Sequence, residues 1–422
     1  MSRFFDTPRP PSWQVCIACG DEMVERNPAV RCPRCGGLLS VIHRPPLLYG
    51  ERLRAVFQTR SSIRPEATAS GVWRYRELVM PSIDEGEVIT HPEGNTPLLS
   101  RSAISEWAGV EVWLKHEGHN PTGSFKDRGM TVGMTQAKRI GARAVACAST
   151  GNTAASLAAY AAQAGLPALV FVPAGQTALG KLAQTLAYGA RTLAVRGDFD
   201  ECLRLVEAAG PRLGIYLLNS INPFRLEGQK TIGFELLQQR RWEVPEWIVL
   251  PAGNLGNLAA FGKALLEARD WGLIDRIPRL AGVQAEGAAP FARGFKEGFR
   301  TRHRTQADTV ATAIRIGNPA SWDRATQVIR QTDGVVLAVP DEDILAAKRV
   351  IDGAGVGCEP ASAASVAGVR RLVASGTISR TADVVAVLTG HLLKDPEIIS
   401  RTASPPVEIE ATLQAVEQVL RT

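Results

Sequence analysis

The sequence predicts an α/β fold built on largely parallel sheets, and three observations predict it. Short apolar runs rich in β-branched residues alternate with longer amphipathic ones over about 300 residues. Hydrophobic residues make up 45% and charged residues 21% of the 422 positions, ordinary values for a chain that buries a large core. Polar, glycine-bearing segments follow several of the apolar runs, as loops do beyond the carboxyl ends of parallel strands. The length suggests about two or three domains. Disorder, a collagen-like repeat and a disulfide-stapled miniprotein are excluded by the same composition. The net charge of +6 is spread over a long chain and implies no surface for polyanions.

The chain opens MSRFFDTPRPPSWQ, with Pro8, Pro10 and Pro11 where a secretory signal needs an apolar core. The most apolar long stretch is broken by Asn152, Ser156 and Gln163, too polar for a membrane span of about 20 residues. A cytoplasmic protein without membrane association is expected.

Next come four of the seven cysteines. Cys16 and Cys19 form C-I-A-C, and Cys32 and Cys35 form C-P-R-C after a gap of 12 residues. Two such knuckles can close a tetrahedral thiolate shell, which predicts a structural zinc ribbon with no catalytic role. Gly20, Gly36 and Gly37 are expected to supply positive φ in the knuckles. The alternatives are two disulfides, disfavoured without a secretory signal, or a ribbon that has lost its metal.

A connector rich in proline and arginine follows, from about His43 to Arg74. Strands are then expected at Val110–Lys115, Ala144–Ala148, Ala168–Val172, Thr192–Val195, Trp247–Leu250 and Val384–Leu388, whose short β-branched runs suit buried strands. Phe199, Cys202, Leu203 and Val206 share one helical face, and Ile409, Leu413, Val416 and Leu420 share another.

Four polar segments then hold the chemistry. Gly253–Asn257, G-N-L-G-N, joins a strand to a helix start. Its backbone N–H groups and the helix dipole suit an anion, while the amides of Asn254 and Asn257 add donors. It matches neither a dinucleotide fingerprint nor a Walker A loop, and suits a single phosphate. Asn120–Gly129 carries Lys126 between Phe125 and Asp127. A lysine desolvated in a pocket becomes a nucleophile toward carbonyl groups. Ser149–Thr153 and Thr389–His391 complete the set. A lysine, a phosphate cup and polar loops on one sheet edge suggest pyridoxal phosphate.

At this point the residues resemble a known family. N-P-T-G-S-F-K-D-R-G-M is similar to the pyridoxal-lysine segment of threonine synthases, in the fold-type II, tryptophan synthase β-like superfamily. The likeness continues through Glu93–Leu98, Ser149–Ser156, Lys181–Ala190, Asn222–Thr231, P-A-G-N-L-G-N, Ala313–Trp322, Cys358–Ser365 and Leu388–Asp395, in the family's order. The resemblance implies two open twisted sheets flanked by helices, preceded by the ribbon. The implied division is 1–45 for the ribbon, 46–119 for the connector and first part of a large domain, 120–218 for a small domain, and 219–422 for the remainder of the large one.

The resemblance also implies roles. Lys126 would bond the cofactor aldehyde and later move protons, with Phe125 beside the ring or anchoring the loop. Asn152 would bond the 3-hydroxyl, and Gly253, Asn254, Leu255, Gly256 and Asn257 would hold the phosphate. Thr389 would face the pyridine nitrogen as a neutral hydroxyl. The implied substrate is O-phospho-L-homoserine, converted with water to L-threonine and phosphate. Ser149, Thr150 and Thr153 are candidates for its carboxylate, and Ser124, Ser220 and Arg225 for its phosphate, since guanidinium fits phosphate as a fork. Arg128 is either a helper or the partner of a nearby carboxylate, and Glu359 receives no role. Threonine dehydratases lack an aspartate corresponding to Asp127. A cysteate synthase-like enzyme using O-phosphoserine and sulfite, a dehydratase-like lyase, and a silent binding protein are the alternatives. The last is disfavoured because no basic patch with interleaved aromatics for nucleic acid is present. A homodimer is expected by resemblance.

Overall fold

Alternating burial along two short segments builds the first sheet. β1 (Ser12–Cys16) and β3 (Leu39–His43) each bury every second residue, and β2 (Glu22–Val24) pairs on the other side of β1, all antiparallel. The computed structural model describes residues 10–62, 66–175, 179–402 and 406–421; residues 1–9, Pro8 among them, lie outside them. Gly20 and Gly36 adopt φ of 73° and 71°, as expected of the knuckles. Gly37 does not share that conformation. It is needed for space instead: a Cβ there would lie 2.9 Å from Cys16 Sγ and 3.2 Å from Cys35 Sγ.

The remaining strands are β4 (Leu98–Ser100), β5 (Val112–His116), β6 (Ala144–Ala148), β7 (Ala168–Pro173), β8 (Arg191–Val195), β9 (Ile215–Leu217), β10 (Trp247–Pro251), β11 (Arg279–Ala285), β12 (Val335–Val339) and β13 (Val384–Leu388). They form a six-stranded sheet of order β12-β11-β10-β13-β5-β4 and a four-stranded sheet of order β8-β7-β6-β9. Every pairing is parallel except β4 with β5. All six expected strands are present, with ends displaced by at most two residues. Among those not expected, β11 carries Gly282 and Gln284, which break its apolar run.

Period-two alternation feeds both faces of each sheet. In β10, Ile248 and Leu250 enter one core while Trp247 and Val249 enter the other. In β6, Val145 and Cys147 face one core, and Ala146 and Ala148 the opposite one. Helices therefore cover both faces of both sheets, as parallel strands require.

The ribbon is wedged between the two sheets. Leu38 joins the core that contains Ala146, Phe171 and Leu217, whereas Val41 joins the large-sheet core. Burying Leu38 alone is worth about 1.5–3 kcal/mol. Arg31 pairs with Glu207 on the small side. On the large side, His43 Nε2 meets Glu227 Oε2 at 2.7 Å, Lys263 donates to the Val41 carbonyl and Arg324 to the Leu39 carbonyl. Burial and Lys230 bring the His43 pKa down to about 4, so the imidazole is neutral.

The connector contains a helix, Gly50–Ser62, that buries Leu53 and Phe57. The helix Phe199–Leu213 buries Cys202 and Val206 as expected, behind a capping box of Asp198 and Glu201, but leaves Phe199 exposed. In the final helix, Leu413–Leu420, the expected apolar face forms, yet Leu413, Val416 and Leu420 remain exposed, and Ile409 precedes the helix.

Candidate functional site

The carboxyl ends of β5, β6, β10 and β13 deliver the four polar segments to one region. After β5 the chain turns through Asn120 to Phe125, and Lys126 opens the helix Lys126–Arg139. This loop is zipped to the segment after β13: Ser124 bridges to Gly390, and the Phe125 N–H donates to the Thr389 carbonyl at 3.0 Å. Phe125 is buried in the large core, and Lys126 Nζ sits 4.1 Å from its ring centroid. Desolvation is the main reason that the Lys126 pKa falls to about 7; Arg225 adds to the effect and Glu359 opposes it. The residue stays partly accessible, so a small molecule can reach an amine that gives up its proton readily.

Buried polar groups hold the helix that carries this amine. The Asp127 carboxyl accepts from the Thr122 N–H and hydroxyl, each at 2.7 Å, and from Ser156 Oγ at 2.6 Å. Burial raises its pKa to about 6. Arg128 has become the partner of carboxylates: its guanidinium bonds Glu117 and Glu235, both fully buried, and Lys115 also pairs with Glu235. Those donors are engaged and do not face the site.

After β6, Asn152 begins the helix Asn152–Ala164, whose amino end receives no side-chain cap. Ser149 Oγ accepts from the Gly151 N–H at 3.3 Å, and Ser149, Thr150 and Thr153 are all partly accessible around that end. Uncapped N–H groups and hydroxyls there suit a carboxylate. Asn152 Nδ2 donates to Glu359 Oε2 at 3.0 Å. The Thr389 hydroxyl lies 3.1 Å from Ser362 Oγ and 3.4 Å from Glu359 Oε1.

After β10, Gly253–Asn257 leads into the helix Gly256–Asp270, again without a side-chain cap. The left-handed residue in this turn is Leu255, φ 64°, rather than either asparagine. Asn254 is engaged with its surroundings: its Oδ1 accepts from the Ala320 N–H at 2.6 Å and its Nδ2 donates to Ser220 Oγ. Ser220 is thereby fixed beside the cup. At Gly253 a Cβ would lie 2.9 Å from Ile314 Cα, so the turn is pressed against the neighbouring loop.

Several buried polar atoms around this cup lack a protein partner: Ser124 Oγ, Arg225 Nε and Nη2, both amide atoms of Asn257, and Ser321 Oγ. Arg225 spends only Nη1, on the Leu218 carbonyl at 2.9 Å. Buried polar groups are usually paired; unpartnered ones on these segments, beside two uncapped helix ends, suit a polyanionic ligand. The amine of Lys126 adds a nucleophile for an aldehyde. Ser321 and Glu359 belong to this region without having been assigned from sequence. Both lie in matching motifs, but no local pattern says where their side chains point.

The four ribbon sulfurs form a second cluster, all within 4.8 Å of one another. Cys16 and Cys19 Sγ each lie 3.4 Å from Cys35 Sγ, and Cys19 Sγ lies 3.7 Å from Cys32 Sγ. A tetrahedron with Zn–S bonds of about 2.3 Å has edges of about 3.8 Å. The separations match a thiolate shell and are far longer than a disulfide bond of about 2.05 Å.

Comparison with known proteins agrees with this geometry. Residues 89–390 match the family described as "Pyridoxal-phosphate dependent enzyme". The chain is 45% identical to a threonine synthase of Methanosarcina acetivorans, over 96% of this chain and 98% of that one. It is 43% identical to a threonine synthase of Methanocaldococcus jannaschii, over 97% and 99%. Among solved structures, threonine synthase from Escherichia coli superposes with a TM-score of 0.71 at 20% identity, covering 96% of this chain and 94% of that one. Maize serine racemase superposes with a TM-score of 0.62 at 19% identity, covering 83% and 96%.

Proposed function

We infer the chemistry from a chain that belongs to the threonine synthase family of pyridoxal-phosphate dependent enzymes. The protein is a lyase that converts O-phospho-L-homoserine and water to L-threonine and phosphate. The observation that carries this reading is the desolvated Lys126 amine beside a cup of unpartnered donors, in a chain so similar to threonine synthases.

The residues present fit pyridoxal phosphate. Gly253, Leu255, Gly256 and Asn257 would hold its phosphate at the uncapped helix end, with Asn254 locking the turn and Ser321 adding a hydroxyl. Asn152 would bond the 3-hydroxyl and Thr389 the pyridine nitrogen. Phe125 walls the lysine. When bound, the cofactor supplies an electron sink for the carbanion left when the substrate Cα–H bond breaks.

The chain's own groups do the rest. Lys126 Nζ, whose pKa of about 7 lets it both accept and release a proton near neutral pH, takes the Cα proton and, having passed it on, a Cβ proton of the substrate. Arg225, Ser124 and Ser220 hold the substrate phosphate as it leaves Cγ, an assignment supported by the unpartnered Arg225 and Ser124 atoms. Ser149, Thr150 and Thr153 orient the carboxylate at the amino end of the helix Asn152–Ala164. One proton is delivered to Cγ, which becomes the methyl carbon; water adds its hydroxyl at Cβ and yields its remaining proton to the departing phosphate; and Lys126 returns a proton to Cα.

The ribbon cysteines Cys16, Cys19, Cys32 and Cys35 hold a structural zinc ion, a reading supported by their separations. The division at 1–45, 46–119, 120–218 and 219–422 is supported by the four-stranded sheet, which lies wholly within Ala144–Leu217. A homodimer is supported by apolar side chains left exposed, among them Leu47, Leu413 and Leu420. A cytoplasmic location suits the clustered thiols, which need a reducing compartment; no helix among the described residues is long and apolar enough to cross a membrane.

The test is to load the purified protein with pyridoxal phosphate, add O-phospho-L-homoserine and identify products by NMR, with Lys126→Ala as control. Threonine and phosphate in equal amounts, absent from the control, are expected. 2-Oxobutanoate in place of threonine, or turnover only of O-phosphoserine with sulfite, would overturn the assignment.

A further inference from the structure

Glu359 occupies the N-cap position of the helix Pro360–Ala374, yet its carboxylate makes no capping bond to that helix. An acidic N-cap ordinarily turns back onto the free N–H groups of its own first turn. Here the side chain reaches the other way. Oε2 accepts from Asn152 Nδ2 at 3.0 Å, and Oε1 lies 3.4 Å from Thr389 Oγ1. The backbone is pinned as well, with the Glu359 N–H donating to the Gly390 carbonyl at 3.1 Å. Gly390 has to be glycine for the carboxylate to lie there: a Cβ would come within 2.4 Å of Glu359 Cδ.

This carboxylate is costly where it sits. Glu359 is 4% exposed, and among the described residues it forms no salt bridge. Burial raises its pKa, while Asn152, Lys394 and Lys126 act in the opposite direction. A buried acid that neither caps its helix nor pairs with a cation lowers stability. What it does contribute is orientation. A carboxylate only accepts hydrogen bonds, so it selects the nitrogen of the Asn152 amide over the oxygen. The amide has two N–H bonds; with one spent on Glu359, the other is left to point into the site as a donor. Asn152 opens a helix that connects β6 to β7 of the four-stranded sheet, whereas Glu359 and Thr389 belong to the six-stranded side, so the contact also spans the two.

We propose that Glu359 is a positioning residue for the cofactor, holding the Asn152 amide nitrogen in the orientation that binds the pyridoxal ring. The proposal rests on the reading of this region as a pyridoxal phosphate site. Glutamine at 359 keeps the shape but can present its own N–H to the Asn152 oxygen, so the amide loses its single orientation.

The experiment is a double-mutant cycle on cofactor-free, full-length protein, titrated with pyridoxal 5′-phosphate and read by absorbance. Glu359→Gln is expected to weaken cofactor binding about tenfold, the scale of one charge-assisted hydrogen bond. In an Asn152→Ala background the same change should alter binding by less than about threefold, because the two residues act as one unit. Thermal unfolding of the cofactor-free Glu359→Gln protein should occur at the wild-type temperature or higher, since a buried charge has been removed. Wild-type affinity in Glu359→Gln, an equal loss in both backgrounds, or a lowered unfolding temperature would each overturn the positioning role. Failure of the wild-type protein itself to take up pyridoxal phosphate would instead overturn the reading of the site.

Discussion

Ser156 Oγ donates to the Asp127 carboxyl at 2.6 Å, joining the helix that begins at Lys126 to the helix that begins at Asn152. One buried contact thus sets the spacing of two helix starts that both face the site. The acid beside the lysine needs no role in the reaction to be indispensable to its geometry.

Replacing Asp127 should separate shape from charge. Asp127→Asn keeps one acceptor, for the Thr122 N–H, and lets the Thr122 and Ser156 hydroxyls rotate to accept from the amide, so little stability is lost. Asp127→Ala strands the buried Thr122 N–H and should cost about 1–3 kcal/mol, with a matching fall in activity. The Asp127 pKa is raised, from 3.8 to about 6, so the folded state favours the neutral acid. Its contribution to stability therefore declines as pH rises from about 4 through about 6. Urea unfolding of wild type and Asp127→Asn across that range checks the sign.

Lys126 should show its lowered pKa in the cofactor-free protein. The rate of pyridoxal phosphate uptake is expected to rise through pH 7 and level off above it, following the neutral amine. Between about 7 and about 10 the unfolded chain binds the extra proton, so this group lets stability grow with pH in that window. The advantage of Lys126→Met over wild type in thermal unfolding should accordingly shrink as pH rises. An uptake rate still climbing near pH 10 would contradict the desolvated amine.

Arg225 carries a buried guanidinium with Nε and Nη2 unpartnered, and burial lowers its pKa to about 10, leaving it charged at neutral pH. Arg225→Met should raise KM for O-phospho-L-homoserine about 10- to 100-fold, the scale of charge-assisted hydrogen bonds. The cofactor-free variant should melt no lower than wild type, because an unpaired buried charge has gone. Initial-rate kinetics beside calorimetry would show whether the substrate phosphate is what completes this group.

Metal analysis should find one zinc per chain, lost in Cys16→Ser. Because Leu38 and Val41 tie the ribbon to two different cores, the loss should lower the unfolding midpoint of the whole protein by several degrees. Unchanged stability with no metal in the wild type would remove the structural zinc from the account.

Sequence alone determined the α/β class, six of the strands and the four loops that carry the site, because period-two burial and glycine-bearing loops beyond strand ends are local patterns. It also marked Lys126 and the four ribbon cysteines, whose spacing is itself the chemical signal. Tertiary structure decided what depends on neighbours distant in sequence. Asn254 and Ser220 are 34 positions apart, and Asn152 and Glu359 are 207 apart, yet each pair is bonded. Arg128 and Arg225 look alike in sequence. Only packing shows that one is saturated by Glu117 and Glu235 while the other keeps donors free for a ligand. The apolar face of Leu413–Leu420 makes the same point in reverse: periodicity specifies that a face exists, and packing alone specifies what covers it. Hydrogen bonds and desolvation are set by atoms within a few ångströms, and sequence distance carries no record of them.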